Sequence, residues 1–348
     1  MKINDFLEQD TEWLKGTGPS ANIVMSSRTR LARNIDKMPF SNWAKTSQLE
    51  EVLAMVESAV KQCNFLKDAI FIKLKDLNEV DRGFLVERHL MSPEHAKNAE
   101  YKALIVDPHE IVSIMVNEED HLRVQVMQSG LNLRECWRII DEIDTDLSKN
   151  LPFAFSAKWG YLTACPTNAG TGLRGSTMLH LPALVFTGQI GKILQAIAKL
   201  GMNVRGLYGE GTEAMGNVFQ ISNQISMGVA EEDIIDNIER ITNQLISRED
   251  VTRKMLMTKN KEGLFDRISR AYGTLRSAHI INSTETVALL SAIRLGVDLG
   301  IIKNMDRRTV NELFLLTQPA HLQKLEGKAL NANERDVKRA EIVKKRLK

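Results

Sequence analysis

Ile111-Val-Ser-Ile-Met-Val-Asn-Glu-Glu-Asp-His-Leu-Arg-Val-Gln-Val-Met127 is the stretch on which the fold turns. In its second half Leu122, Val124 and Val126 share one side while Arg123 and Gln125 share the other, the period-two alternation of a half-buried strand. The first half is an apolar strand-like run, and Asn117-Glu-Glu-Asp120 between them has turn composition. Strand, short turn, strand predicts an antiparallel hairpin.

Outward from this hairpin, Ala103 to Val106, Tyr161 to Ala164, Thr177 to Leu181 and Val218 to Ile221 also read as strands. Helical spacing over Leu131 to Leu147 and Gly188 to Leu200 interrupts them. Strands this close in sequence predict an α+β domain with a mainly antiparallel sheet flanked by helices, not repeated βαβ units. After about Gly228 only helical spacing remains, over Glu231 to Ser247, Gly263 to His279, Ser283 to Leu299, Arg308 to Leu316 and Asn333 to Leu347. Ser283 stands where an N-cap is expected. The stretch Lys259-Asn-Lys-Glu-Gly263 marks the boundary, dividing residues 1–258 from an all-α domain over 259–348.

The 348 residues suffice for two such domains, and 43% hydrophobic with 26% charged residues is globular composition. A net charge of +2 gives no sign of a nucleic-acid partner. Residues 335–348 carry seven basic side chains against Asp336 and Glu341, the pattern of a solvated basic helix end. Cys63, Cys136 and Cys165 are far apart, which fits neither a disulfide framework nor a metal site. The N-terminus has no apolar signal core and no apolar run is long enough for a membrane. These features predict a cytoplasmic protein with neither membrane nor direct nucleic-acid contact.

Gly170-Thr-Gly-Leu-Arg-Gly175 spells G-x-G-x-x-G, but β-like residues follow it where a dinucleotide fingerprint needs a helix. No P-loop and no protein-kinase H-R-D or D-F-G set occurs. What does recur is arginine beside strand ends and glycine turns: Arg28 and Arg30, Arg123, Arg174 and Arg205. Arginines at i and i+2 of a strand point to one side, and their planar forks suit phosphate oxygens. Spacing alone leaves open whether the five converge.

Five blocks, in order, resemble the signature segments of the ATP:guanido phosphotransferases, the family of creatine and arginine kinases. They are Ser26-Ser-Arg-Thr-Arg30, Asn117-Glu-Glu-Asp-His-Leu-Arg123, Cys165-Pro-Thr-Asn-Ala-Gly-Thr-Gly-Leu-Arg174, Arg205-Gly-Leu-Tyr-Gly-Glu210 and Ile221-Ser-Asn-Gln224. The resemblance implies a phosphagen-kinase-like fold and assigns Arg28, Arg30, Arg123, Arg174 and Arg205 to ATP phosphates. It places Ser26, Ser27, Thr29, Gly175, Ser176, Thr177, Met178, Gly206, Leu207, Tyr208, Gly209 and Glu210 along the nucleotide site, and His89 as a further nucleotide contact. The departures are small: Ala169 where leucine is common, Gly175 where alanine is common, and Tyr208 within its block.

The same resemblance makes Glu119 and Glu210 the catalytic carboxylates and Cys165 the active-site cysteine. A guanidinium with a pKa of about 13 lies roughly 6 units above neutrality, so full deprotonation costs roughly 8 kcal/mol. Two carboxylates can instead grip the fork, aim one nitrogen at the γ-phosphorus and take the proton as the N–P bond forms. We favour Glu119 as base and Glu210 as its positioning partner. A Cys165 thiolate would hydrogen-bond another guanidinium nitrogen. Mg²⁺ is expected with ATP, without a dedicated protein ligand set.

Family members acting on small guanidines carry a helical domain ahead of the Ser-x-Arg-x-Arg block, whereas 25 residues precede Ser26 here. That difference and the helical C-terminal region resemble the bacterial branch that phosphorylates arginine on proteins. Arg335-Asp-Val-Lys-Arg-Ala340 resembles that branch's R-D-x-x-R-A motif, which implies an allosteric phosphoarginine site at Arg335, Asp336 and Arg339. Arg335 and Arg339, at i and i+4, are expected on one helix face. The branch further implies a homodimer, a role in the stress response, an activator with zinc-binding motifs, a heat-shock repressor and a Clp unfoldase. Alternative readings are a kinase of free guanidino metabolites and a non-catalytic phosphoarginine-binding adaptor.

Overall fold

Alternation along the hairpin predicted above builds the centre of the molecule. The computed structural model describes residues 3–7, 9, 11–206 and 214–347. Its strands are β1 (Val24–Arg33), β2 (Ile70–Lys73), β3 (Ala103–Val106), β4 (Val112–Val116), β5 (Leu122–Ser129), β6 (Phe155–Ser156), β7 (Gly160–Tyr161), β8 (Leu173–His180), β9 (Met202–Gly206) and β10 (Val218–Asn223). Eight form one sheet in the order β2-β3-β4-β5-β1-β8-β10-β9, with every neighbouring pair antiparallel. The α+β expectation holds. The strand expected at Tyr161 to Ala164 shrinks to β7, the second arm of the small β6–β7 hairpin.

The helices are α1 (Thr46–Gln62), α2 (Glu79–Glu87), α3 (Pro93–Ala96), α4 (Leu133–Ser148), α5 (Pro182–Phe186), α6 (Ile190–Lys199), α7 (Glu231–Lys259), α8 (Lys261–Ser277), α9 (Ser283–Asp298), α10 (Arg307–Leu316), α11 (Pro319–Glu326) and α12 (Ala332–Arg346). None of those described is long and apolar enough to cross a membrane. Val52 and Val56 of α1, Ile140 and Ile143 of α4 and Ile235 and Ile238 of α7 pack with Val124, Val126 and Ile221 on one side of the sheet. On the other side Met25, Met127, Met178 and Val218 join the core of α8, α9, α10 and α12. The helical region is thus seated on the sheet.

A sharp break in the helical path falls within the Lys259–Gly263 stretch: α7 runs to Lys259, Asn260 alone leaves helical geometry at φ −143°, and α8 starts at Lys261. The cap of α9 is Asn282, whose side chain accepts from the Glu285 amide, one residue before the serine expected there.

A buried charge cluster welds the two regions. Glu249 of α7 is fully buried and accepts the amides of Ala183 and Leu184 (both 3.0 Å) and Arg253 Nε (2.8 Å). Arg253 also donates to Asn22 O at 3.2 Å, and Arg294 of α9 reaches Ala21 O at 2.8 Å. Removing one member of such a cluster strands the others away from water. Glu249→Ala is expected to destabilise the fold by about 3–5 kcal/mol, read as a lower denaturant midpoint, whereas an exposed control such as Glu262→Ala stays within about 0.5 kcal/mol.

Candidate active site

Strand register decides which residues meet. On β1, Arg28 faces Ser176 of β8 and Met127 of β5, while Arg30 faces Arg174 and Gln125. Gln220 of β10 faces both Met178 and Arg205, and Ser222 faces Ser176. Side chains at these positions share one face of the sheet. Of these, Gln125, Gln220 and Ser222 line, with His89, a cleft of about 480 Å³ that holds all five arginines: Arg28, Arg30, Arg123, Arg174 and Arg205. Ser26, Ser176 and Met178 line a small recess beside it, together with Arg28 and His89.

The same alternation sends Ser27, Thr29, Gly175 and Thr177 the other way. Ser27 Oγ donates to Gly130 O, Thr29 Oγ1 to Cys136 O of α4, and Thr177 Oγ1 pairs with Thr242 of α7. Gly175 lies against α7, where an added Cβ would come within 2.7 Å of Ile238 Cδ1. Their side chains are framework beneath the cleft, which leaves the backbone of these positions as their part of the cleft floor. Gly206 ends β9, and Leu207, Tyr208, Gly209 and Glu210 lie outside the described residues.

Burial and mutual repulsion act on the arginines together. Burial, then Arg123 and Arg174, push the Arg28 guanidinium down to about 10. Burial and the charges of Arg28, Arg123 and Arg174 lower Arg30, and burial with Arg205 and Arg123 lowers Arg174. Among the described residues, Arg30 Nε and Arg174 Nε are buried without a hydrogen-bond partner. Unpaired buried donors beside like charges are the complement of a polyanion.

The turn between β4 and β5 is locked. Asn117, at φ +61°, donates its side-chain amide to Leu49 O (3.0 Å) and Tyr101 O (2.8 Å). Asp120 accepts Asn34 Nδ2 at 2.6 Å and the Ala164 amide at 2.7 Å, tying this turn to the cysteine-containing segment. His121 accepts the Ile35 amide at Nδ1 (3.0 Å) and sits 2.8 Å from Pro39 O through Nε2, which fixes the tautomer. Between these anchors, Glu118 pairs with Arg123 at 2.8 Å, and that charge holds its carboxyl low against the opposing effect of burial. Glu119 is left half-buried near Cys165, whose thiol pairs with Thr167 Oγ1 at 2.9 Å. Desolvation and then Asp120 raise its pKa, which makes it a better proton acceptor. The glycines of the cysteine-containing segment serve its path. Gly170 has φ +98°, and a Cβ there would fall 2.5 Å from Ser226 O.

Arg335, Asp336 and Arg339 are not an open fork. Arg339 is buried at 2% exposure and donates to Thr317 O (2.8 Å), Ile281 O (2.9 Å) and Asp336. Arg335 is half-buried and donates to Leu330 O. The i,i+4 pair expected on one helix face is split because Arg339 turns inward to the carbonyl of Thr317, which caps α10, and to that of Ile281 in the loop before α9.

Glu118, Gln125, Gln220, Ser222, Glu87 and Gln318 join the site without having been singled out from sequence. Period two on β5 and β10 was the available signal for Gln125, Gln220 and Ser222. Gln318 comes from the helical region and had none.

A family profile described as ATP:guanido phosphotransferase, C-terminal catalytic domain, matches residues 51–252, and one described as protein-arginine kinase McsB C-terminal domain matches residues 261–348. A protein-arginine kinase of Halothermothrix orenii is 48% identical over 100% of this chain and 99% of its own length. The chain belongs to the protein-arginine kinases. Another, of Symbiobacterium thermophilum, is 49% identical over 97% of both chains. Among solved structures, the duplicated taurocyamine kinase of Schistosoma mansoni, bound to transition-state-analogue components, aligns with TM-score 0.61 and 25% identity, covering 72% of this chain and 36% of that one. Lombricine kinase aligns at TM-score 0.59 and 23% identity over 71% of this chain and 75% of that one, a likeness of fold. The kinase is therefore a phosphotransferase that uses ATP to phosphorylate arginine on proteins.

His89 adopts φ +61° and is held by Gln125 Nε2, which donates to its carbonyl at 2.7 Å. Burial, then Arg28 and His321, lower its imidazole to about 3. An unfolded chain takes up this proton near pH 6.5 and the folded one refuses it, so stability is present above 6.5 and falls as pH drops toward 3. Accordingly, His89→Gln should narrow the difference in thermal midpoint between pH 7 and pH 4.5, measured by calorimetry.

Proposed function

We propose that the arginine cleft holds the triphosphate of ATP and that the target arginine enters at the Glu119–Cys165 end. The observation that carries this reading is the convergence of five guanidinium groups, two with unpaired buried Nε donors, beside a carboxylate of raised proton affinity. The target guanidinium lies in the grip of Glu119 and Glu210, with Cys165 on a second nitrogen. One terminal nitrogen attacks the γ-phosphorus. As the N–P bond forms, the bond from phosphorus to the ADP oxygen breaks, the proton passes to Glu119, and ADP leaves as the anion the arginines already hold. The cleft lining is mostly guanidinium and carboxamide, with Glu87 its one carboxylate among the described residues, a donor set that fits phosphate oxygens; Mg²⁺ bound with ATP would supply further charge neutralisation there.

The surroundings of Cys165 support a polypeptide acceptor. Phe155, Trp159 and Leu162 are exposed around the β6–β7 hairpin, and Ile225 and Met227 in the loop after β10. Both segments are pinned next to Cys165: Tyr161 N donates to Gly170 O at 2.8 Å and Thr171 N to Ser226 O at 3.0 Å. Exposed apolar side chains on the rim of a reaction centre suit the residues that flank an arginine in an extended chain. The family resemblance supports a cytoplasmic stress-response setting in which phosphoarginine directs proteins to a Clp unfoldase. It also supports a homodimer, a zinc-binding activator and a heat-shock repressor as partners.

Glu119→Gln and Glu210→Gln are each expected to lower phosphoarginine formation on casein by about 100-fold or more while MgATP still binds. Mass spectrometry for acid-labile phosphoarginine checks this. Undiminished labelling by the Glu119 variant would remove Glu119 as the base.

A further inference from the structure

The cleft has two unlike ends. Arg30, Arg174 and Arg123 gather toward the turn that carries Glu118 and Glu119. Four residues back along β1, about 13 Å away, Ser26 faces Met178, which in turn faces Gln220. Here a single cation, Arg28, stands among neutral groups: Ser26, Ser176, Met127, Met178, Gln220 and a His89 that stays uncharged. The helical region packs on this end, because Met127 and Met178 belong to its core.

From that region one polar side chain enters the cleft. Gln318, immediately before α11, lines the same cavity as the five arginines although only 7% of it is exposed. Its Nε2 donates to Phe314 O at 2.9 Å, and among the described residues its Oε1 accepts no hydrogen bond. Its backbone is clamped on both sides. Arg339 Nε donates to Thr317 O at 2.8 Å, the Gln318 amide donates to Leu315 O at 3.0 Å, and Glu87 accepts the amides of Ala320 (2.7 Å) and His321 (2.9 Å). With its donor committed, Gln318 offers the cleft an acceptor on a fixed mount. Adenine presents an exocyclic amine donor where guanine presents a carbonyl acceptor.

We propose that Gln318 is a specificity residue for the nucleobase: the C-terminal region completes the catalytic cleft, and the Gln318 carbonyl accepts a hydrogen bond from the adenine amine. This rests on the assignment of the arginine end to the triphosphate. The buried Arg339 then acts as a positioning residue, holding the peptide from which Gln318 extends. The catalytic profile ends at residue 252, so the base-reading group comes from outside it.

The test is steady-state phosphorylation of casein by the full chain with MgATP and with MgGTP, comparing wild type with Gln318→Met, Gln318→Ala and Arg174→Ala. Gln318→Met keeps the bulk and loses the acceptor. It should raise KM for MgATP about three- to tenfold, leave kcat within about twofold, and reduce the preference for ATP over GTP, with Gln318→Ala following it. Thermal midpoints matching wild type exclude a folding defect. A wild-type KM and nucleotide preference in Gln318→Met would overturn the proposal, and so would a KM that rises equally for both nucleotides. Arg174→Ala should weaken both nucleotides alike. If it weakens neither, the triphosphate assignment itself fails, independently of Gln318.

Discussion

Five guanidinium groups in one cleft repel one another, and everything around them is arranged to keep them there. Two unit charges about 6 Å apart repel by roughly 3 kcal/mol at an effective dielectric of about 20, so a flexible site would splay. The arginines are instead mounted on strands of one continuous antiparallel sheet, where register leaves their Cα positions no freedom. Side chains are fixed as well: Arg123 by Glu118 and Arg174 by Ser222 Oγ at 3.1 Å. The repulsion that remains is released when a polyanion enters, so binding energy is aimed at the phosphates before chemistry starts.

That constraint explains why the framework is stiff and heavily hydrogen-bonded. Side chains on the far face of β1 and β8 bond α4 and α7, and the catalytic turn is held through Asn117, Asp120 and His121. Glu119 alone in that turn keeps a half-buried carboxylate with raised proton affinity. On the other side, the charge cluster around Glu249 and Arg253 and the carbonyl grip of Arg339 fix the helical region against the sheet. The C-terminal helices are therefore part of the cleft's wall as well as an appended domain.

Much of this could be read from the sequence, because it is encoded locally. The hairpin of residues 111–127 showed its period, and four of the helices after Gly228 (α8, α9, α10 and α12) showed theirs to within two residues, whereas α7 runs on past the expected Ser247 to Lys259 and α11 was not read at all. The arginines were recognisable as a set through their five blocks, but only register showed that they meet. Reading by block does not tell side-chain positions from backbone ones, and alternation is the reason: Ser27, Thr29, Gly175 and Thr177 sit between cleft residues in the chain but point to the opposite face of the sheet. Arg339 was placed with Arg335 on one helix face, and i,i+4 spacing does not say whether that face is buried, as it is at Arg339. Gln318 was invisible because its role depends on a contact between regions far apart in sequence. Glu210, half of the proposed carboxylate pair, lies outside the described residues.

We propose that phosphates occupy one end of the cleft and the base the other. Calorimetric titration of Arg30→Ala with MgATP and with AMP tests it most directly. The account predicts that MgATP affinity falls by about 10- to 100-fold, the loss of charge-assisted hydrogen bonds, while AMP binds within about twofold of wild type. Equal losses for the two nucleotides, or unchanged MgATP affinity, would contradict it.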